Sequence, residues 1–169
     1  EYGLAEFASG FNKGTMISPI HGAVIASVAA NGGYLKKPYI VSKVEESNEN
    51  RLIWAPEERK QRVMSPDSAR EMRKLMELTV KRGTARSAFR RFRSRRVKNV
   101  IIGGKTGTIT GGLPMGKRDW FVSYAMPQDS DDKGISVCVM IVNINKWYIK
   151  SSALAKNIIE YYYSKKYIK

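Results

Sequence analysis

Residues 103–108 read GGKTGT and follow an apolar run typical of a β-strand. In an extended strand, alternation places Lys105 and Gly107 on one face and Thr106 and Thr108 on the other. The missing side chain at Gly107 leaves the backbone open to an extended ligand. A cation, two hydroxyls and accessible backbone suit the carboxylate end of a peptide-like ligand. The stretch therefore predicts a binding groove along a sheet edge.

The sequence GGKTGT has two other interpretations. A phosphate-binding loop needs a first glycine, four further residues, then Gly-Lys-Ser/Thr opening a helix. Here that first glycine is absent, and the residues ITGGLP at 109–114 do not begin a helix well. We reject the nucleotide loop. A glycine-rich turn with an incidental lysine stays open as the purely structural alternative.

The segments after the motif predict more of the same sheet. Residues 97–102 lead into the motif strand, and 120–125 and 135–143 form two further strand-like runs. The last run, ISVCVMIVN, is apolar on both faces, as expected of a strand buried within a sheet. A polar loop at 128–133 has a length suited to a hairpin. Residues 151–163 carry apolar residues at helical spacing and should pack on the sheet.

The segments before the motif predict helices. Within 14–33, Ser18 is a helix cap, Pro19 suits the first helical position and two glycines supply the stop. Residues 34–44 look extended, 45–50 form a polar turn, and 51–54 would be the return strand of a hairpin. Ser65-Pro66 opens a second helix that ends near 81–83, and the segment 86–98 is expected to be partly helical.

The amino-acid composition excludes several classes of function. The chain has 169 residues, 43% of them apolar, which indicates a folded globular sequence, and no apolar run approaches the length of a membrane-spanning helix. One cysteine and one histidine exclude a disulfide framework and a multi-cysteine zinc site. We expect Cys138 to be a small buried hydrophobe, His21 to serve packing or capping, and Trp120 to belong to the core.

The charge is strongly positive and uneven. Lys and Arg number 30 against 15 Asp and Glu, a net charge of +15. No acidic residue lies between Glu77 and Asp119, a window that holds the basic block 81–98. A solvated basic face is the plainest explanation. Attraction to an acidic substrate, a wall polymer or a lipid surface is the functional alternative. Nucleic-acid binding is disfavoured because no known motif frames Phe89 and Phe92.

The chain resembles the C-terminal half of the transpeptidase domain of penicillin-binding proteins. Lys-Thr-Gly is a known signature of that family and of class A β-lactamases. The resemblance extends over most of the chain in a specific order of segments: GTMISPIHGAVIASVAANGGYLKKPYIV, MELTVKRGTARSAF, IIGGKTGT, KRDWFVSYAMP and ISVCVMIVN before a closing helix. It implies one α+β domain over 1–169, with a helix-rich portion over about 1–96 and three antiparallel strands and a closing helix over about 97–169.

The resemblance also implies roles. Lys105 would hold the hydrogen-bond network of the active site, and Thr106, Gly107 and Thr108 would bind the carboxylate of an acyl-D-Ala-D-Ala stem peptide or a β-lactam. The backbone N–H of Thr108 would be one of two oxyanion-hole donors. No cofactor and no metal are implied. Such proteins work at the extracytoplasmic face of the cytoplasmic membrane, on peptidoglycan.

One departure from the family pattern is large. The family's nucleophile is the serine of a Ser-x-x-Lys motif, which a Ser-x-Asn motif follows. No Ser-x-Asn occurs here, and the only Ser-x-x-Lys, Ser130 to Lys133, lies after the Lys-Thr-Gly strand in a polar loop. The chain would then carry one wall of an active site without its nucleophile, and would be inactive alone. A D,D-carboxypeptidase and a non-catalytic β-lactam sensor or wall-binding relative stay open beside the transpeptidase.

A structural expectation follows from the same resemblance. Family members build a five-stranded antiparallel sheet, two strands of which come from the N-terminal half of the domain. Only three strands are expected here, so the strand 135–143 would present an unpaired apolar edge. We expect the chain to self-associate, or to need the missing N-terminal half for stability.

Overall fold

The computed structural model describes residues 2–10, 14–47, 51–57, 59–94, 97, 99–128 and 133–164. Its helices are Tyr2–Ser9 (α1), Pro19–Ala30 (α2), Pro66–Lys81 (α3), Arg86–Phe89 (α4) and Ser151–Ser164 (α5). Its strands are Tyr34–Lys36 (β1), Val44–Glu45 (β2), Leu52–Trp54 (β3), Lys60–Arg62 (β4), Val100–Gly111 (β5), Gly116–Pro127 (β6) and Ile135–Asn143 (β7).

The main sheet has three antiparallel strands in the order β5-β6-β7. β5 and β6 form a long hairpin whose register runs without a break from Val100 opposite Pro127 to Gly111 opposite Gly116. Helix α5 packs on one face of this sheet, while α2 and α3 pack on the other. The fold is α+β with helices on both sides of an antiparallel sheet, as the sequence predicts.

The two faces of the sheet have separate cores. On the α5 face, Phe121 is fully buried among residues of α4, α5 and β7, and its ring centroid lies 5.7 Å from that of Phe89. On the opposite face, Tyr124 is fully buried against Ala26 and Ala29 of α2 and Met76 of α3. Strand β6 contributes the central ring of both cores, and its side chains therefore fix the positions of its two neighbours.

The helix starts are the most accurate sequence predictions. The Ser18 hydroxyl accepts a hydrogen bond from the backbone N–H of His21 at the start of α2, and Ser65 accepts one from Ser68 at the start of α3. In both helices a proline follows the cap directly. Each cap satisfies a backbone donor that has no partner within its helix, which is why Ser-Pro marks a helix start reliably.

The predicted extended segment 34–44 is wrong in its length. Only β1 and β2 at its two ends are strands, and the residues between them are irregular. β2 does pair with β3 as an antiparallel hairpin, as predicted, but β1 pairs with β4, a strand that the sequence analysis missed. Helix α1 was also missed, and of the segment 86–98 only α4 is helical among the described residues.

Other sequence predictions concern the edges and loops of the sheet. Within the described residues β7 pairs with β6, and no strand pairs with its outer edge. Two predicted loops lie partly outside the described residues: 45–50 and 128–133. The Ser-x-x-Lys motif from Ser130 to Lys133 belongs to the second loop and also lies partly outside them. Strands β5 and β6 are longer than predicted because their ends carry glycines and charged residues that lack an apolar alternation.

Replacing Gly22 by alanine should destabilise the fold, although alanine is the better helix former. Gly22 is buried where α2 crosses β7, and a Cβ added there would lie 2.6 Å from the Cys138 sulfur. We expect urea unfolding to show a loss of roughly 1 kcal/mol, since overpacking outweighs helix propensity. Gly3→Ala in α1, where the added Cβ meets nothing within 4 Å, is the matched control. Adding Cys138→Ala should restore the stability, and a failure to do so would refute the contact.

Candidate functional site

Two consecutive glycines bring the motif strand close to its neighbours. A Cβ at Gly103 would lie 2.5 Å from the Tyr124 ring, and a Cβ at Gly104 would lie 2.3 Å from the Phe121 ring. The start of GGKTGT is thus held between two buried aromatic rings, one on each face of the sheet. Both glycines are required by this packing, and the position of the residues that follow depends on it.

The outer edge of β5 is open, and its free backbone groups can be assigned. Gln128 donates its backbone N–H to the carbonyl of Asn99, directly before the register that continues along the hairpin. In an antiparallel ladder, bonded and non-bonded pairs alternate. Odd-numbered residues of β5 therefore bond to β6, while Thr106 and Thr108 direct their N–H and C=O groups to the edge. Among the described residues no strand pairs with that edge.

The motif side chains divide between the two sides of β5. The Thr106 and Thr108 side chains line a groove on the α5 side, whereas Lys105 is exposed on the other side and donates from Nζ to the Thr106 carbonyl at 2.8 Å. Gly107 is exposed, and a Cβ there would meet only the Cβ of Trp120, at 3.7 Å. Packing therefore does not require a glycine at 107, in contrast to Gly103 and Gly104.

The groove beside Thr106 and Thr108 encloses about 380 Å³. Its wall is completed by the turn after α3, where the Thr84 hydroxyl lies 2.8 Å from that of Thr106. The remaining lining comes from β6 and from the segment that leads into α5: Asp119, Trp147, Lys150 and Ser152. Three threonine hydroxyls and the exposed Lys150 therefore border one concave surface that is open to a carboxylate.

One acidic side chain lies at the base of this groove. Asp119 is 6% exposed, and its carboxylate accepts the backbone N–H of Ser151 at 2.7 Å. Ser151 is the first residue of α5, so the negative charge is stabilised by the N-terminal end of the helix. Asp119 thus fixes the start of α5 against β6, and part of its charge is offset before any ligand is bound.

Sequence reasoning found the motif residues but missed most of the groove. Thr84, Asp119, Trp147 and Lys150 come from three separate segments. Thr84 and Asp119 lie in segments that carry the family resemblance, but no site role was predicted for any of the four. Thr84 follows the end of α3 and could be placed near Thr106 only once the packing of α3 was known. The cation that faces the two motif threonines is Lys150, while Lys105 lies across the strand from them.

The other residues singled out in the sequence lie away from the groove. His21 is exposed and takes part in the cap of α2 through its backbone, so the capping expectation holds. Cys138 and Trp120 are only half-buried, and burial raises the pKa of the Cys138 thiol. A larger cavity of about 500 Å³ lies between α2 and the β1–β4 pair, but it contains none of the motif residues.

The part of the chain that the structure describes contains no group of metal-ligating side chains large enough to hold an ion. In the same residues, every helix is too short or too polar to cross a membrane.

The buried phenol of Tyr124 makes stability sensitive to alkaline pH. Burial, and secondarily the charge of Glu77, raise its pKa well above the ordinary value near 10. Between pH 10 and that raised value the unfolded chain loses a proton that the folded chain keeps, so stability falls as pH rises. We expect the stability of the wild type relative to Tyr124→Phe to fall by up to about 1.4 kcal/mol per pH unit above pH 10. Parallel urea-unfolding profiles from pH 8 to 11 would contradict this.

Comparison with known proteins identifies a related family. A model of the penicillin binding protein transpeptidase domain matches residues 2–160. Stage V sporulation protein D of Bacillus subtilis (strain 168) is 28% identical over an alignment of 145 residues that covers 83% of this chain and 21% of that protein. The chain therefore spans about a fifth of the length of that relative.

Solved structures show the same fold. Penicillin-binding protein A of M. tuberculosis, solved as its imipenem acyl-enzyme complex, matches 90% of this chain and 32% of its own with a TM-score of 0.65 and 23% identity. Penicillin-binding protein 2B of Streptococcus pneumoniae (strain 5204) matches 90% of this chain and 24% of its own, with a TM-score of 0.64 and 20% identity.

Proposed function

Because the chain belongs to the penicillin-binding protein transpeptidase family, we propose that it forms the carboxylate-binding and oxyanion-hole half of a peptidoglycan D,D-transpeptidase. The complete enzyme would cross-link cell-wall peptides through an acyl-serine intermediate and would be acylated by penicillin. The ligands would be the D-Ala-D-Ala end of a stem peptide and β-lactams. This work would take place outside the cytoplasmic membrane.

The open edge of β5 carries this proposal. Thr106 and Thr108 direct backbone groups to that edge, and their hydroxyls line the groove beside it. An extended peptide would add to the edge as a further strand, with its terminal carboxylate near the hydroxyls. The free N–H of Thr108 would donate to the oxyanion that develops as the acyl bond is attacked.

Lys105 and Gly107 would act on the other side of the strand. The exposed ammonium of Lys105 lies beside the edge carbonyl of Thr106, where it would add positive charge and hold the hydrogen-bond network near the reacting serine. Gly107 would let the ligand approach the backbone, which agrees with the empty space around it.

The nucleophile would come from outside these 169 residues. The serine and its base would lie in the N-terminal half of the same domain, and this chain alone would not be acylated. A serine ester divides one difficult acyl transfer into two easier steps. Whether the second step uses an amine or water depends on the acceptor that reaches the ester, so the reaction class of the whole protein rests on that other half.

The test is labelling with a fluorescent penicillin followed by peptide mass mapping. We expect the full-length polypeptide to form an adduct on a serine outside the 169-residue chain, and the chain alone to form none. Hydrolysed penicillin, which cannot acylate, is the control for non-specific attachment. Absence of an adduct on the full-length polypeptide would overturn the enzyme proposal and favour a non-catalytic relative.

A further inference from the structure

Exposed arginines follow α3 and form a surface that the groove does not use. We call the following residues the arginine track: Arg82, Arg86, Arg90, Arg91 and Arg93, all of them exposed. Among the described residues, none of these side chains forms an ion pair. Glu77, the acidic residue that precedes the track in sequence, is paired with Lys81. Among the described residues, the track therefore presents positive charge that no ion pair with a carboxylate offsets.

The track ends in a recess between the segment after α4 and helix α5. This recess encloses about 480 Å³ and is lined by Arg91, Arg93, Lys156, Glu160, Tyr161 and Ser164. Glu160 is the acidic residue in the lining, and both of its oxygens are occupied. One lies 2.7 Å from Lys156 Nζ, and the other accepts the backbone N–H of Arg93 at 2.8 Å.

The contacts of Glu160 have two consequences for the recess. They neutralise Lys156 within the protein, so that in the described lining the guanidinium groups of Arg91 and Arg93 are the cations without an ion pair. They also tie the backbone of Arg93 to α5, which holds that arginine in a defined position. Guanidinium groups match the oxygens of a phosphate in pairs of parallel hydrogen bonds.

We propose that the recess and the arginine track bind a linear polyanion whose repeating units carry phosphate groups. The recess would take one phosphate between Arg91 and Arg93, and the preceding cations would contact successive phosphates. Arg90 is the C-cap of α4 and keeps helical backbone angles, so it lies one turn after Arg86 on the same side of the helix. A row of cations of this kind is suited to a repeating charge rather than to one compact anion.

The aromatic residues within 81–94 offer no surface for a base or a lipid, whereas Tyr161 of the recess is 62% exposed, so comparisons with an oligonucleotide and with lipid vesicles are needed to separate these ligands. Phe89 is 7% exposed, and Phe92 packs against the same core with its ring 6.3 Å from that of Phe89. Neither ring is free to stack on a base. The described residues of 81–94 also expose no large apolar side chain that could insert into a lipid surface.

The test measures binding of long-chain inorganic polyphosphate to the 169-residue chain by calorimetry at several salt concentrations. The variant is Arg91→Gln with Arg93→Gln. The control is Lys36→Gln with Lys60→Gln, which removes the same charge from the exposed β1–β4 pair beside α2, across the sheet from α5. We expect the arginine variant to bind about tenfold more weakly and to flatten the log–log salt dependence by roughly 1–2. The control should change affinity by less than about twofold, because such charges are screened.

Other outcomes would overturn the proposal. If both variants weakened polyphosphate binding equally, the effect would come from net charge and not from a specific site. If the wild-type chain did not bind polyphosphate, the proposed site would be refuted. Tighter binding of a single-stranded oligonucleotide of equal phosphate number would favour a nucleic acid. Arginine-dependent binding to phosphatidylglycerol vesicles without binding of polyphosphate would favour a membrane. Unchanged circular dichroism would show that the exposed substitutions leave the fold intact.

Discussion

Replacement of Lys105 by alanine in the full-length polypeptide is expected to slow its acylation by penicillin about 10²–10³-fold. The proposed site places the ammonium beside the edge of β5, next to the Thr106 carbonyl. Positive charge there would stabilise negative charge that develops only in the transition state, so its loss should appear mainly in the rate of acylation. The measurement is the second-order rate constant for a fluorescent penicillin.

Lys117→Ala is the matched control for this prediction. Lys117 is also an exposed lysine of the main sheet, but it lies on β6 near the hairpin turn, opposite Asn143. Its removal should leave the acylation rate within about twofold of the wild type. Both variants should unfold at the wild-type urea concentration, since exposed substitutions usually change stability by less than about 0.5 kcal/mol. Equal rates for Lys105→Ala and the wild type would remove Lys105 from the proposed site.

Phe121→Ala should produce the largest loss of stability, about 3–5 kcal/mol in urea unfolding. The Phe121 side chain is fully buried, packs against Phe89 and forms the surface on which Gly104 rests. Truncation removes a large apolar side chain and leaves a cavity that the surrounding strands cannot fill without moving. Many small domains have little more stability than this, so partial unfolding in water is an expected result.

The control for Phe121 is Phe7→Ala. Phe7 lies on α1 with 58% of its surface exposed, so the same chemical change there should alter stability by less than about 0.5 kcal/mol. A loss below about 1 kcal/mol for Phe121→Ala would mean that the two cores are not arranged around β6 as described.

The sequence predictions are accurate where a structure depends on residues close together in sequence, and less accurate where it depends on residues far apart. The starts of α2 and α3 depend on a cap within three residues, and both were predicted correctly. Strand β7 was predictable because a short run that is apolar on both faces is typical of a strand buried within a sheet. The pairing of β1 with β4 joins residues far apart in sequence, and a three-residue strand has too short a pattern to reveal its partner.

The residues of the candidate site also fall into a predictable and an unpredictable group. Lys105, Thr106, Gly107 and Thr108 were selected by their motif, and their roles remain predictions. The local sequence also suggested the alternation that the structure shows, with Lys105 on one side of the strand and the threonines on the other. The rest of the groove depends on tertiary packing and has no local pattern.

The packing of Gly103 and Gly104 against two buried aromatic rings has a consequence for how such an enzyme would bind drugs. Phe121 and Tyr124 lie on β6 and approach the glycines that lead into the motif, so a change of ring size would shift Lys105 and Thr106. Such a shift would weaken the binding of a rigid bicyclic drug more than that of a flexible peptide, because the peptide can adjust its conformation and the drug cannot. In a penicillin-sensitive enzyme built on this strand, substitution of Phe121 or Tyr124, which are buried outside the groove lining, would therefore be expected to weaken drug binding.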